Sequence, residues 1–209
     1  MIRDGRLGTD QPTLDGPRVR LRPWRPDDAD AVLAACQDAE IQRWTRVPVP
    51  YRRADADEFV TAIAPATWAE GGAQFAVVLR AGGALVGSIA LFPPRDGVAE
   101  CGYYTLAGSR GRGLAAEALR VLAGWAFDDR GLRRLELRVH PRNTASRRVG
   151  AAAGFVVEGT LRQRSLHRGQ PVDDVVLGLL ATDPRPAPDR PAASVPPGAS
   201  SGTSADRVT

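Results

Sequence analysis

From residue 115 the apolar positions Ala115, Ala118, Leu119, Leu122 and Ala126 recur at i, i+3, i+4, i+7 and i+11, one stripe of an amphipathic helix that Gly131 then ends. The period changes at once. Leu135, Glu136, Leu137, Arg138, Val139 and His140 alternate strictly, which predicts a strand with its apolar residues on one face. Ahead of the helix, residues 100–106 read as extended. Strand, glycine-rich loop, helix and strand in that order describe a crossover between neighbouring parallel strands, joined by a right-handed connection. Upstream, a strand is expected around residues 18–21. A helix follows with Asp27 as N-cap, Asp28 and Asp30 in its first turn and Ala31, Val32, Ala34 and Ala35 behind them. A second helix is expected over residues 54–68. Strands at 74–80 and 84–92 are joined by Ala81, Gly82 and Gly83 as a hairpin-like turn, and the last strands fall at 155–161 and 174–180. The sum is a mixed α/β fold, an α+β mixed sheet of about seven strands and four helices.

Composition narrows the class. A chain of 209 residues with 43% hydrophobic content is long enough for one full core and too short for two ordinary domains. The Pro-, Ala-, Ser- and Gly-rich stretch 182–209 has too few large apolar side chains to offset the entropy of ordering and is expected to be a disordered tail. Residues 1–15 are expected to be flexible, which leaves 16–181 as the folded domain. No apolar run approaches the roughly 20 residues of a membrane span. The early charges Arg3, Asp4 and Arg6 have no apolar signal segment behind them. A cytoplasmic protein without a membrane partner is therefore expected. Cys36 and Cys101 are far apart and outside any metal-type spacing, so both read as small core residues and no metal site is expected. All 28 basic residues are arginine, a mark of coding bias that lowers the weight of any single one. The net charge of +4 and pI near 9.8 suit a polyanionic cofactor or nucleic acid. The arginines are scattered without interleaved aromatics, so nucleic acid is not expected as a partner.

Arg110, Gly111, Arg112, Gly113, Leu114 and Ala115 fall at the strand-to-helix junction, where glycines let backbone N–H groups converge and the first helical turn adds orphan donors and positive dipole. That is a candidate phosphate cradle, although glycine also punctuates ordinary loops. The flanking sequence is more specific. After the alternating strand come Asn143, Thr144, Ala145 and Ser146, then Gly154 and Phe155. With the Arg-x-x-Gly-x-Ala turn, these resemble the core of the GCN5-related N-acetyltransferases (GNAT). Leu21, Arg22, Pro23 and Trp24 with Asp27, Asp28 and Ala29, and Ala99, Glu100, Cys101, Gly102 and Tyr103, are similar to the branch that acetylates N-terminal amines of ribosomal proteins (RimJ/RimL-like). The resemblance runs from about Val19 to Leu180, with its motifs in order.

The resemblance implies a GNAT acyl-CoA N-acyltransferase fold with splayed central parallel strands, here residues 100–106 and 134–140, and acetyl-CoA lying in the wedge between them. Tyr104 and Leu106 are then the backbone partners for the pantetheine arm and thioester carbonyl. The N–H groups of Gly111, Arg112, Gly113, Leu114 and Ala115 would hold the pyrophosphate, with charge from Arg110 and Arg112. Asn143 reads equally as a helix N-cap and as a hydrogen-bond partner of the pantetheine. The tyrosine that many members use as the acid for the leaving thiolate would stand at Gly150; the ribosomal branch is similar to this chain in having Ser where Ser146 stands, so the resemblance gives the acid role to Ser146. Glu100 is the candidate base for the acceptor amine; the alternative is a solvated or ion-paired strand carboxylate. His140 and His167 lack partners at catalytic spacing and are not assigned. Trp44 either lines the acceptor site or packs in the core. Residues 41–53 and 160–172 would build the acceptor site for a protein N-terminus or a small amine. A catalytically silent acyl-CoA-binding module is the rival, and a homodimer is left open.

Overall fold

The protein is described by a computed structural model covering residues 10–185. Eight strands form one sheet in the order β1 (Leu14–Asp15), β2 (Val19–Pro23), β3 (Ala73–Leu79), β4 (Leu85–Leu91), β5 (Val98–Thr105), β6 (Arg134–Val139), β8 (Gln170–Leu180) and β7 (Val156–His167). The helices are α1 (Ala29–Cys36), α2 (Ala39–Trp44), α3 (Arg53–Glu58), α4 (Ala64–Ala69), α5 (Leu114–Asp128) and α6 (Thr144–Ala152). The extra strand is β1, inside the segment expected to be flexible. It pairs with β2, and just before it Gln11 Nε2 donates to Gln74 O at 2.8 Å. At the other end Arg185 reaches Asp128 at 2.5 and 2.8 Å. Residues 1–9 and 186–209, where the rest of the terminal expectations fall, lie outside the described residues.

Two local differences have clear causes. Asp28 rather than Asp27 fixes the start of the first helical segment: its carboxylate accepts from Arg25 N–H at 2.8 Å and pairs with Arg22 at 2.7 Å, closing a 3₁₀ turn over Pro26–Asp28. The expected helix at 54–68 is a continuous run in which α3 and α4 are separated by a π turn at Phe59–Ile63. There Ala64 N–H bonds to Phe59 O, and Pro65 follows, with no N–H and a ring that crowds the carbonyl one turn back, so the turn widens.

The sheet divides two cores. On one face α5 and α6 cover the apolar residues of β5, β6 and β8, with Leu119, Leu122, Leu135 and Leu177 almost wholly buried. On the other, α1, α3 and the π turn pack Val32, Ala56 and Val60 with Trp24, Tyr51 and Ala76. Cys36 and Cys101 are both free and buried. Among the described residues no helix is long and apolar enough to cross a membrane.

The crossover places the site. β5 and β6 are the one parallel pair among the described residues, and their register runs only from Val98↔Arg134 to Cys101↔Leu137. Beyond that, β5 stays with β4 as far as Gly87↔Thr105, while β6 stays with β8 as far as Val139↔Val175. Each strand follows its outer neighbour and the two part company. Backbone groups facing the gap have no ladder partner, a state that folded chains tolerate where water or a ligand can reach them.

Candidate active site

The gap opens into a cleft of about 640 Å³. Its walls include Glu100 and Tyr104 from β5, Gly111, Gly113, Leu114 and Ala115 from the loop and first turn of α5, and Asn143 and Ser146 from the start of α6. Most of the residues singled out from the sequence therefore share one cavity. Leu106 and Arg112 are not among its lining residues.

Gly111 and Gly113 have φ of 72° and 75°, the left-handed region that a residue with a Cβ rarely adopts. They turn the chain from a 3₁₀ turn over Ala107–Ser109 into α5, with Gly113 as its N-cap. The first intrahelical bond here runs from Glu117 N–H to Gly113 O at 3.1 Å, so the donors ahead of it face outward at the positive end of a 15-residue helix. This arrangement fits a pyrophosphate. Arg110 lines the cleft but is already engaged: its Nη2 lies 2.7 Å from Asp38 Oδ1 and its Nε donates to Thr105 O. Asp38 in turn caps α2, accepting from Glu40 and Ile41 N–H. Arg110 thus ties the loop to α2 and holds the Asp38 carboxyl below its ordinary range. Arg112 is exposed, and its carbonyl accepts from Arg18 Nη1 at 3.2 Å.

The backbone partners expected from β5 are one residue out of phase. Leu106 N–H donates to Val86 O and its carbonyl accepts from Ser109 N–H, so neither is free. Phe92 N–H likewise bonds to Glu100 O. In an antiparallel ladder such groups alternate sides, so Glu100, Gly102, Tyr104 and Leu106 turn their backbone toward β4 while Tyr103 and Thr105 turn theirs toward the gap. Tyr104 and Leu106 are corrected accordingly.

Asn143 caps α6, its Oδ1 accepting from Ser146 N–H at 3.0 Å, and also lines the cleft, so the cap reading holds and does not exclude a contact with the pantetheine. Ser146 Oγ lies 2.8 Å from the Tyr103 hydroxyl. Side chains alternate along β5: Tyr103 packs with the α5–α6 core, whereas Glu100 points to the opposite face. The Glu100 side chain is 31% exposed and sits 3.3 Å from Arg138 Nε without hydrogen-bond alignment. Burial raises its pKa, with Asp174 and Glu136 adding to the rise and Arg138 and Arg46 opposing it.

The acceptor end contains groups that sequence reasoning passed over. Ser165 donates to the buried Asp174 at 2.5 Å, and Arg46 approaches Ser165 at 3.4 Å. Only the register of the β7–β8 hairpin brings these together. Trp44 lines the cleft with its ring 5.4 Å from that of His140, whose Nδ1 accepts from Arg142 N–H. His167 lines it too, at the end of β7; burial and the nearby Arg168, His140 and Arg46 lower its pKa. The α2 segment that carries Trp44 had no apolar period to reveal it, since only Ile41 of its six residues is buried.

This architecture defines an acetyltransferase, and the chain belongs to the GNAT family: residues 18–156 match the family's acetyltransferase (GNAT) domain. Among relatives, it is 26% identical over 171 residues to the uncharacterized N-acetyltransferase YoaA of Bacillus subtilis, covering 81% of this chain and 97% of the other. It is 33% identical over 113 residues to the probable N-acetyltransferase YjcK of the same organism, covering 53% of this chain and 62% of that one. Among solved structures it is similar to Mycobacterium smegmatis RimJ in complex with CoA-disulfide, at a TM-score of 0.72 and 25% identity, covering 81% of this chain and 86% of that one.

Proposed function

We propose that the protein transfers the acetyl group of acetyl-CoA to a primary amine by direct attack in a ternary complex, with a protein N-terminal α-amine as acceptor and a small-molecule amine as the alternative. The observation that carries this is the placement of Glu100 and the Tyr103–Ser146 pair on opposite faces of β5, both lining one cleft. An amine entering from the Glu100 side can lose its proton there while the thiolate departs on the Ser146 side. Acetyl-CoA supplies the activated acyl group. The first-turn donors of α5 would hold its pyrophosphate, the gap-facing backbone of Tyr103 and Thr105 its pantetheine, and Tyr103 N–H the carbonyl oxygen as charge develops. An α-amine with pKa about 7.8 costs roughly 1 kcal/mol to deprotonate at pH 7, a lysine side chain roughly 4.6, so a base of modest strength suffices for the former. The similarity to RimJ supports the α-amine reading, and an acetyl-CoA-dependent reaction is consistent with a cytoplasmic protein.

The test is a thermal-shift titration with acetyl-CoA, repeated on Ala115→Glu, whose carboxylate would stand in the cleft at the start of α5. Cofactor at about 100 times its dissociation constant should stabilise the fold by roughly 2.7 kcal/mol, raising Tm by about 5–10 °C, with the shift lost in the variant. Absence of a shift in folded wild type would overturn the cofactor assignment. A panel of free N-terminal peptides, N-blocked lysine peptides and small amines then identifies the acceptor, and turnover confined to small amines would overturn the α-amine reading.

A further inference from the structure

The Tyr103 hydroxyl has two partners, both on one residue of α6: Ser146 Oγ at 2.8 Å, and the Ser146 carbonyl O, which can only accept from the phenol and, at 3.3 Å, makes the longer and weaker claim on its single proton. Either oxygen can donate in the shorter contact, and the choice has a chemical consequence. A serine that donates to the phenol spends its only proton. A phenol that donates to Oγ leaves the serine O–H free to turn into the cleft, which both residues line. The ring is packed against the core beneath α5 and α6, so the hydroxyl arrives with little rotational freedom. No tyrosine can reach this place from α6 itself at position 150. A Cβ on Gly150 would stand 2.9 Å from Leu177 Cδ2 and 3.2 Å from Leu137 Cδ1, pointing into the core.

We propose that Tyr103 is a positioning residue for Ser146: its phenol donates to Ser146 Oγ, fixes the serine rotamer and directs the serine O–H at the sulfur of CoA. The inference rests on the reading of Ser146 as the group that meets the leaving thiol. When the C–S bond breaks, its electron pair goes to sulfur, and the Ser146 O–H stabilises that thiolate as a hydrogen-bond donor. Both hydroxyls keep their protons, and the thiolate takes its proton from water after release. Magnitudes favour this over proton transfer through the pair. Burial pushes the Tyr103 phenol up to about 12. An ordinary thiol lies near 8.5, so moving the phenol proton to sulfur would be strongly uphill.

The experiment uses CoA itself as the probe and needs no acceptor. Thiolate absorbance of CoA held by the intact protein is followed against pH for wild type, Tyr103→Phe, Ser146→Ala and the double variant. The protein's own thiols do not interfere, since burial pushes Cys36 up to about 11 and Cys101 higher still. In wild type the bound thiol should ionise about one pH unit below the ordinary value near 8.5. Each single variant should return it toward that value. The double variant should match Ser146→Ala, because the two residues act as one unit. A phenol that merely packs would change the melting temperature and leave the thiol where wild type has it. If Ser146→Ala moves the thiol and Tyr103→Phe does not, this inference is overturned and Ser146 keeps its role. If neither moves it, the Ser146 reading fails as well. If wild type does not retain CoA, the cofactor assignment falls and takes both with it.

Discussion

Position 150 decides where the hydroxyl chemistry of this chain can come from. A side chain there would begin within 2.9 Å of one buried leucine and 3.2 Å of another, so the helix turns its glycine toward the core and its serine toward the cleft. Gly150→Tyr should therefore lower stability by about 1–3 kcal/mol or more through overpacking, and should not raise kcat, as paired melting and turnover measurements would show. A gain in turnover would mean that α6 can rotate to present the phenol. The contrast between Ser146 and Tyr103 also shows what single residues disclose. That Ser146, Glu100 and Asn143 would share one cleft was legible from residue type and from motifs resembling the family. Tyr103 was not, because its role depends on a contact across 43 positions of sequence. The choice between Tyr103 and Tyr104 as backbone partner was equally hidden. Both lie on the same strand, and only the hydrogen bonds to β4, such as Leu106 N–H to Val86 O, reveal which backbone groups face the gap.

At the scale of elements, the loop ahead of α5 is held by more than its glycines. Glu117, one turn into α5, is almost fully buried. It accepts from Arg18 N–H at 2.6 Å, Val19 N–H at 3.0 Å and Arg18 Nε at 2.7 Å, while Arg18 Nη1 reaches the carbonyl of Arg112. One carboxylate thus clamps the start of β2 to α5 and, through Arg18, to the loop. Glu117→Ala leaves two backbone donors without that acceptor, and should cost about 2–4 kcal/mol of stability. It should also weaken acetyl-CoA binding, whereas Glu117→Gln, which keeps an acceptor oxygen, should lose less of both. Chemical denaturation and calorimetric titration would separate the two effects; unchanged cofactor affinity would reduce the clamp to a purely structural feature. Elements with a buried face were legible because burial imposes a period on them: α5, β6 and the β3–β4 hairpin came through within a residue or so, whereas β7 and β8 extend well past their expected bounds, to His167 and from Gln170, through mostly exposed positions. Short ones were not. β1 exists through pairing with β2, and α2 through the cap from Asp38 and its tether to Arg110, neither of which leaves an apolar rhythm.

For the molecule as a whole, pH separates two kinds of carboxylate. Asp28 beside Arg22 and Asp38 beside Arg110 are held below their ordinary values, so the stability they contribute is present above about pH 4 and is lost as pH falls. Glu100 runs the other way. Its pKa is raised, chiefly by burial, so its favourable contribution is full below the ordinary glutamate value and is lost as pH rises through the folded one. The ionised form that the proposed base needs is therefore the one that strains the fold, and on that reading activity should climb with pH through a pKa above the ordinary glutamate value. Glu100→Gln, a mimic of the protonated side chain, should lower kcat by about 10²-fold or more. The same variant should melt higher than wild type at pH 7–8, with the difference shrinking toward pH 4. Melting curves and pH–rate profiles on one pair of proteins test both halves together. Retained turnover with no gain in stability would mean that Arg138 and Arg46 already compensate the charge, and that the carboxylate is an ion-pair partner rather than the base.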